Sequence, residues 1–175
     1  MATQGFEMYQ PPLYYVVSAT LLGALGLTLD SVGVLVLNQL GLLISLANLL
    51  LIYMALRLVF PGDPKKQIVG LTVAAFLPAN LCLSQFVTNE VLAAMLVTAS
   101  LYLCLLLLRK DAPGWRLSAG LGLCLGAALL TKLTALVAVP FILGTLLAHG
   151  WRQKPALRRQ WLAHVAAAAG LCLLF

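Results

Sequence analysis

Long apolar stretches alternate along the chain with short polar breaks, and that rhythm predicts the elements. Apolar runs cover 13–29, 32–56, 68–87, 91–108, 117–148 and 161–175. The breaks between them are "PGDPKK" (61–66), "TNE" (88–90), "RKDAPGWR" (109–116) and "RQKPALRR" (152–159). Runs near twenty residues match the thickness of a bilayer's hydrocarbon core. The 117–148 run carries one charge, Lys132, and is too long for one ordinary span. It predicts two short helices meeting at "TK". The expectation is an all-α, polytopic helical membrane protein with about six transmembrane helices plus one outer juxtamembrane helix.

Composition strengthens this reading. The chain is 62% hydrophobic and 9% charged, against about 25% charged for a soluble domain. Its mean hydropathy is +1.02. The formal charge of +6 therefore speaks of loop asymmetry rather than of a nucleic-acid partner. No charged segment followed by a small-residue cleavage site opens the chain. Cys82, Cys104, Cys124 and Cys172 all sit inside apolar runs without metal-ligand spacing, so they read as packing residues. His149 reads as an interface residue and His164 as a helix-packing one. Ser45, Asn48 and Asn80, polar positions inside spans, read as residues that hold helices together.

Charge orients the assembly. With 57–66, 109–116 and 152–159 in the cytoplasm, ten of the eleven Lys and Arg residues fall inside and Lys132 alone falls outside. The outer side then holds Glu7, Asp30, Glu90 and Lys132. Such charges either mark a site or are helix-end residues reaching the water layer. Two placements of 13–29 fit the charges: a crossing, which puts the N-terminus in the cytoplasm, or an outer-surface helix, which puts it outside.

Three segments carry a resemblance. "EMYQPPLYY" (7–15) is similar to the "E-x-H-Q-P-P-L-Y-Y" segment of membrane glycosyltransferases of the GT-C fold, a group that includes protein O-mannosyltransferases and the aminoarabinose transferases of lipid A. "LSQFVTNEVLAAMLVTASLYL" (83–103) resembles that group's segment in which an acid opens a helix on the outer face. "AGLGLCLGAALLTKLTAL" (119–136) resembles its "G-L-x-x-G-L-A-L-L-T-K-x-T-A-L" hairpin. The three occur in family order over residues 7 to 175. The resemblance implies one partial GT-C transmembrane domain over 1–175, with an outer juxtamembrane segment at 7–30 and transmembrane helices over 32–175. It places the helix after the double proline on the outer surface. Prolines suit a helix start and tyrosines the headgroup region.

The chemistry that the resemblance implies is sugar transfer from a polyprenyl-phosphate donor to an acceptor on the extracytoplasmic face of the cell's inner (plasma) membrane. Such transfer needs a carboxylate to take the acceptor's proton and a cation for the departing phosphate. Lys132 is the candidate for the phosphate. Glu90, Asn89, Glu7, Tyr9 and Tyr14 complete the expected substrate-binding set. Thr88 or Asn89 is equally readable as a plain helix cap. Tyr9 stands where the family commonly has His, which leaves the metal unknown; no cofactor is certain, and a divalent metal is one possibility. The general base is expected upstream of this chain, which reads as a fragment inactive on its own. Membrane lipids and a lipid-linked sugar are the implied partners, with no nucleic acid and an acceptor left open. The rival reading is a transporter part or assembly subunit, which predicts a repeat relating two halves; the sequence shows none.

The topology carries its own test. In a background lacking the native cysteines, single cysteines at positions 65, 112 and 154 should react only with reagents that reach the cytoplasm. Labelling of position 112 from outside would overturn the orientation.

Overall fold

The computed structural model describes residues 11–83, 85–110 and 114–174. Within them the chain is helical throughout, without a strand. Helix α1 (Leu13–Ala24) begins at the two prolines, where Val16 N–H reaches the Pro12 carbonyl at 2.9 Å. It ends in a turn whose Gly26 has φ +63, a conformation that costs glycine little. At twelve residues it is about 18 Å long, too short for a hydrocarbon core of about 30 Å. Asp30 then starts helix α2 (Ser31–Val59), its Oδ1 accepting from Gly33 N–H at 2.9 Å. That is an N-cap. Gly33 is needed there, because a Cβ would run into the Thr28 carbonyl oxygen.

Helix α2 is long enough to cross, and Leu35, Leu43, Leu46 and Leu50 leave its outer face apolar and exposed. In water such a face would be costly; against acyl chains it is the expected surface. The expected span at 68–87 is not one helix. The structure divides it into α3 (Pro64–Ala75) and α4 (Pro78–Leu83). Pro78 has no N–H to continue the ladder and disfavours a helical residue before it. The break is bridged by Asn80, whose Nδ2 donates to the Ala74 carbonyl at 2.8 Å.

Four further helices form the packed centre. Helix α5 (Glu90–Leu108) runs against α6 (Trp115–Thr131), and a 3-10 turn at Leu133–Val137 leads into α7 (Ala138–Trp151) and α8 (Pro155–Leu173). The long run thus breaks at Lys132, as its length required. Helix α8 begins within the expected 152–159 loop, ahead of Trp161. Among the described residues, three segments are long and apolar enough to cross: Ser31–Val59, Glu90–Leu108 and Leu133–Trp151. The core between α5, α6, α7 and α8 contains Leu107, Leu121, Leu125, Ile142, Leu146 and Trp161. Cys104 and Cys172 are buried in it, consistent with packing roles, whereas Cys82 is exposed.

Helix α6 meets α8 closely. A Cβ at Gly122 would lie 2.6 Å from the Ala168 carbonyl oxygen and 2.9 Å from Leu171 Cβ. Small residues let membrane helices approach this way. His164 secures the same pair, its Nδ1 standing 3.0 Å from Ser118 Oγ. His149 packs edge-on to Trp161 with ring centroids 4.9 Å apart.

The basic segments gather at one end of the bundle. Arg109 donates to the Leu58 carbonyl, and Arg158 lies 3.7 Å over the Trp151 ring. Glu90 and Lys132 occupy the far ends of α5 and α6, about 28 Å away along a nineteen-residue helix.

Gly122→Val should force α6 from α8 and destabilise the purified protein by about 1–3 kcal/mol. Gly144→Ala, where a Cβ meets nothing within 4 Å, should leave its thermal melt nearly unchanged. Equal melts for both variants would show that the α6–α8 contact is dispensable.

Candidate functional site

The first residues of α5 meet the last residues of α6 in two successive contacts. Asn89 Nδ2 donates to the Thr131 carbonyl at 3.1 Å. One residue further along each helix, Lys132 Nζ pairs with Glu90 Oε1. Thr131 is fully buried and its hydroxyl donates to the Ala127 carbonyl at 2.8 Å, while its carbonyl belongs to a helix end without an intrahelical donor. Asn89 fills that vacancy. The capping role therefore passes to Thr88, whose Oγ1 accepts from Glu90 N–H at 3.3 Å; Asn89 makes no cap bond with its side chain.

Lys132 adopts an extended conformation, φ −157 and ψ 130, between α6 and the 3-10 turn. This turns its side chain out of the helical path and toward α5. Its side chain is 21% exposed and that of Glu90 38%, so the pair is half withdrawn from water. Coulomb attraction is stronger there than in open solvent, though still well below the dry-interior limit.

Glu90 borders three spaces. A cleft of about 510 Å³ is lined by Tyr14, Ser18, Leu37, Thr88, Asn89 and Glu90. Tyr14 is buried in it, and burial pushes its phenol pKa up, so it stands there as a neutral hydroxyl. A groove of about 620 Å³ runs from Glu90 and Lys132 past Val97, Leu101, Val137 and Phe141. A smaller pocket of about 210 Å³ lies between α2, the α3–α4 break and α5.

Of the expected substrate-binding residues, Lys132, Glu90, Asn89 and Tyr14 are brought together here. Glu7 and Tyr9 lie outside the described residues. Asp30 serves as a helix cap at the α1–α2 turn, and its hydrogen bond from Gly33 N–H holds its carboxyl below the usual range. Among the described residues no three metal-ligating side chains come together, and at this site the one such carboxylate, Glu90, already faces an ammonium. Reading the sequence missed the Asn89–Thr131 bond. Nothing in the sequence says that the start of α5 lies against the end of α6, which is what brings Asn89 to Thr131.

Over residues 11–175 the chain matches the sequence pattern of the family described as dolichyl-phosphate-mannose-protein mannosyltransferase. No curated protein and no solved structure matches it significantly.

The ion pair can be measured directly. A double-mutant cycle with Glu90→Gln and Lys132→Gln, read as unfolding free energy in nanodiscs, should give a coupling of at least about 1 kcal/mol, above the usual exposed pair. A coupling near zero would mean the two side chains act independently.

Proposed function

The chain belongs to the dolichyl-phosphate-mannose-protein mannosyltransferase family, a family of membrane glycosyltransferases, and from that premise we propose that this site handles a polyprenyl-phosphate sugar at the extracytoplasmic surface. The observation that carries the reading is the single ammonium of Lys132 at the mouth of an apolar groove. A lipid-linked phosphate has this form, an anion at the membrane surface joined to an isoprenoid tail. The groove walls of Val97, Leu101, Val137 and Phe141 suit the tail, and Lys132 meets the anion.

During transfer the bond between the anomeric carbon and the phosphate oxygen breaks, and a bond from the acceptor oxygen to that carbon forms. The acceptor's proton passes to a base, and the polyprenyl phosphate leaves with one more negative charge. Lys132 offsets that growing charge, and in a half-desolvated setting the gain is larger than in water. Before donor arrives, Glu90 holds the ammonium at the groove mouth, so little ordering remains to be done on binding. No base role is assigned to Glu90, because its carboxylate is engaged by Lys132. Tyr14 and Asn89 line the neighbouring cleft, where the acceptor approaches. Helix α1, too short to cross, lies at the outer membrane surface and walls that cleft. The rival expectation of a transporter part or assembly subunit rested on composition, and family membership favours the transferase.

The test is transfer from a polyprenyl-phosphate sugar by a full-length version of the enzyme in membranes. Lys132→Ala should lower turnover by about 100-fold or more, the scale of losing one donor to a developing anion. Lys65→Ala, at the opposite end, should leave turnover unchanged. Parental activity in Lys132→Ala would remove the phosphate role.

A further inference from the structure

A further space lies at the opposite end of α5 from Glu90. It measures about 510 Å³ and runs between α2, α5 and α7, walled by Ile52, Leu56, Leu105, Leu108, Phe141 and Ile142. Its two hydroxyls are already engaged: Thr98 donates to the Ala94 carbonyl at 2.9 Å and Thr145 to the Phe141 carbonyl at 2.7 Å. The wall therefore offers a ligand apolar contact and little else. From Thr98 to Leu108 the groove follows α5 for about 15 Å, half of a hydrocarbon core of about 30 Å. It is one leaflet deep. At mid-depth it shares Thr98, Leu101 and Phe141 with the groove that starts at Lys132.

Its other mouth opens at the basic end. Arg109 directly follows Leu108 as the cap of α5 and gives one of its five N–H donors to the Leu58 carbonyl. Arg152 closes α7 in a helical conformation, seven residues after Thr145 and so on the same helix face. Neither arginine has a carboxylate partner among the described residues, whose ion pairs are Lys66 with Asp63 and Lys132 with Glu90. Between 112 and 175 the sequence holds no Asp or Glu.

We propose that this groove holds one acyl chain of an anionic phospholipid from the leaflet at the basic end, its headgroup phosphate meeting Arg109 and Arg152. The charge rule makes that the cytoplasmic leaflet. Depth and volume suit a single chain. A transmembrane helix about 10 Å across would need roughly 1,200 Å³ over the same length, more than twice the space present. Charge selects the headgroup, because two guanidiniums without carboxylates attract a phosphate, and a zwitterionic lipid would bring a further cation beside them. A polyprenyl tail descending from Lys132 would leave that mouth without an anion. The inference stands apart from the donor reading, since this lipid enters from the opposite leaflet.

The experiment releases the full chain from nanodiscs of equal phosphatidylglycerol and phosphatidylcholine and identifies the retained lipid by native mass spectrometry. The parent should keep one lipid, phosphatidylglycerol over phosphatidylcholine by about 20-fold. Arg109→Gln and Arg152→Gln should each lower that preference about five-fold, the scale of one basic residue against an anionic leaflet. Lys65→Gln removes the same charge at the same end, away from the groove, and should leave the preference unchanged. Ala55→Phe puts a ring into the groove and should release the lipid whatever its headgroup. Arg109→Gln also loses the Leu58 contact and should melt lower; Arg152 makes no side-chain bond among the described residues, so an unchanged preference in Arg152→Gln overturns the proposal by itself. An equal fall in Lys65→Gln would assign the preference to the whole basic end and not to this groove. Retention by Ala55→Phe would place the lipid elsewhere. Displacement of the retained phosphatidylglycerol by bare polyprenyl phosphate would give the groove to that tail instead.

Discussion

Every helix end needs partners for its free backbone groups, most of all where water is excluded, and that constraint organises this molecule. Each end leaves backbone groups without intrahelical partners, and an unsatisfied group in hydrocarbon costs several kcal/mol. The chain meets this with side chains placed at its breaks. Asp30 caps α2, Asp63 accepts from Lys66 N–H at the start of α3, and Asn80 bridges α3 and α4. Arg109 reaches the carbonyl of Leu58 at the end of α2. Asn89 reaches the carbonyl of Thr131 at the end of α6. Few polar residues remain inside the spans, and several of those present serve this purpose.

The Asn89 contact has the largest consequence. By joining the start of α5 to the end of α6, it sets the register in which Glu90 faces Lys132. Lys132 can face sideways because α6 stops there and the chain extends for one residue before the 3-10 turn. The same break that needs a hydrogen-bond partner thus also releases an ammonium at the groove mouth. Around Glu90 the three spaces then differ in chemistry: a cleft with a neutral tyrosine hydroxyl, an apolar groove, and a pocket of amide and hydroxyl groups.

The core supports this end from a distance. Close approach of α6 to α8 at Gly122, and the His164–Ser118 contact, hold α6 along its length. The basic and tryptophan-rich end gives the bundle a strongly charged pole, while the described residues of the site end carry the Lys132 ammonium paired with Glu90, and the Asp30 carboxylate.

Much was legible from one dimension. Apolar run lengths determined the all-helical membrane class, the break at Lys132 and the split of charge between two ends, because hydrocarbon thickness and the cost of buried charge act on local composition. The double proline, "TNE" and "TK" marked Tyr14, Glu90, Asn89 and Lys132, which the fold brings together. The run at 68–87 misled, since hydropathy counts apolar residues and Pro78 breaks the ladder without lowering apolar content. Tertiary structure alone decided that Asn89 bonds Thr131, that Glu90 pairs with Lys132, and that the Asn48 oxygen finds no partner among the described residues. Those outcomes depend on the register between antiparallel and neighbouring helices, which is set by side-chain packing across the bundle and leaves no periodic trace in the chain.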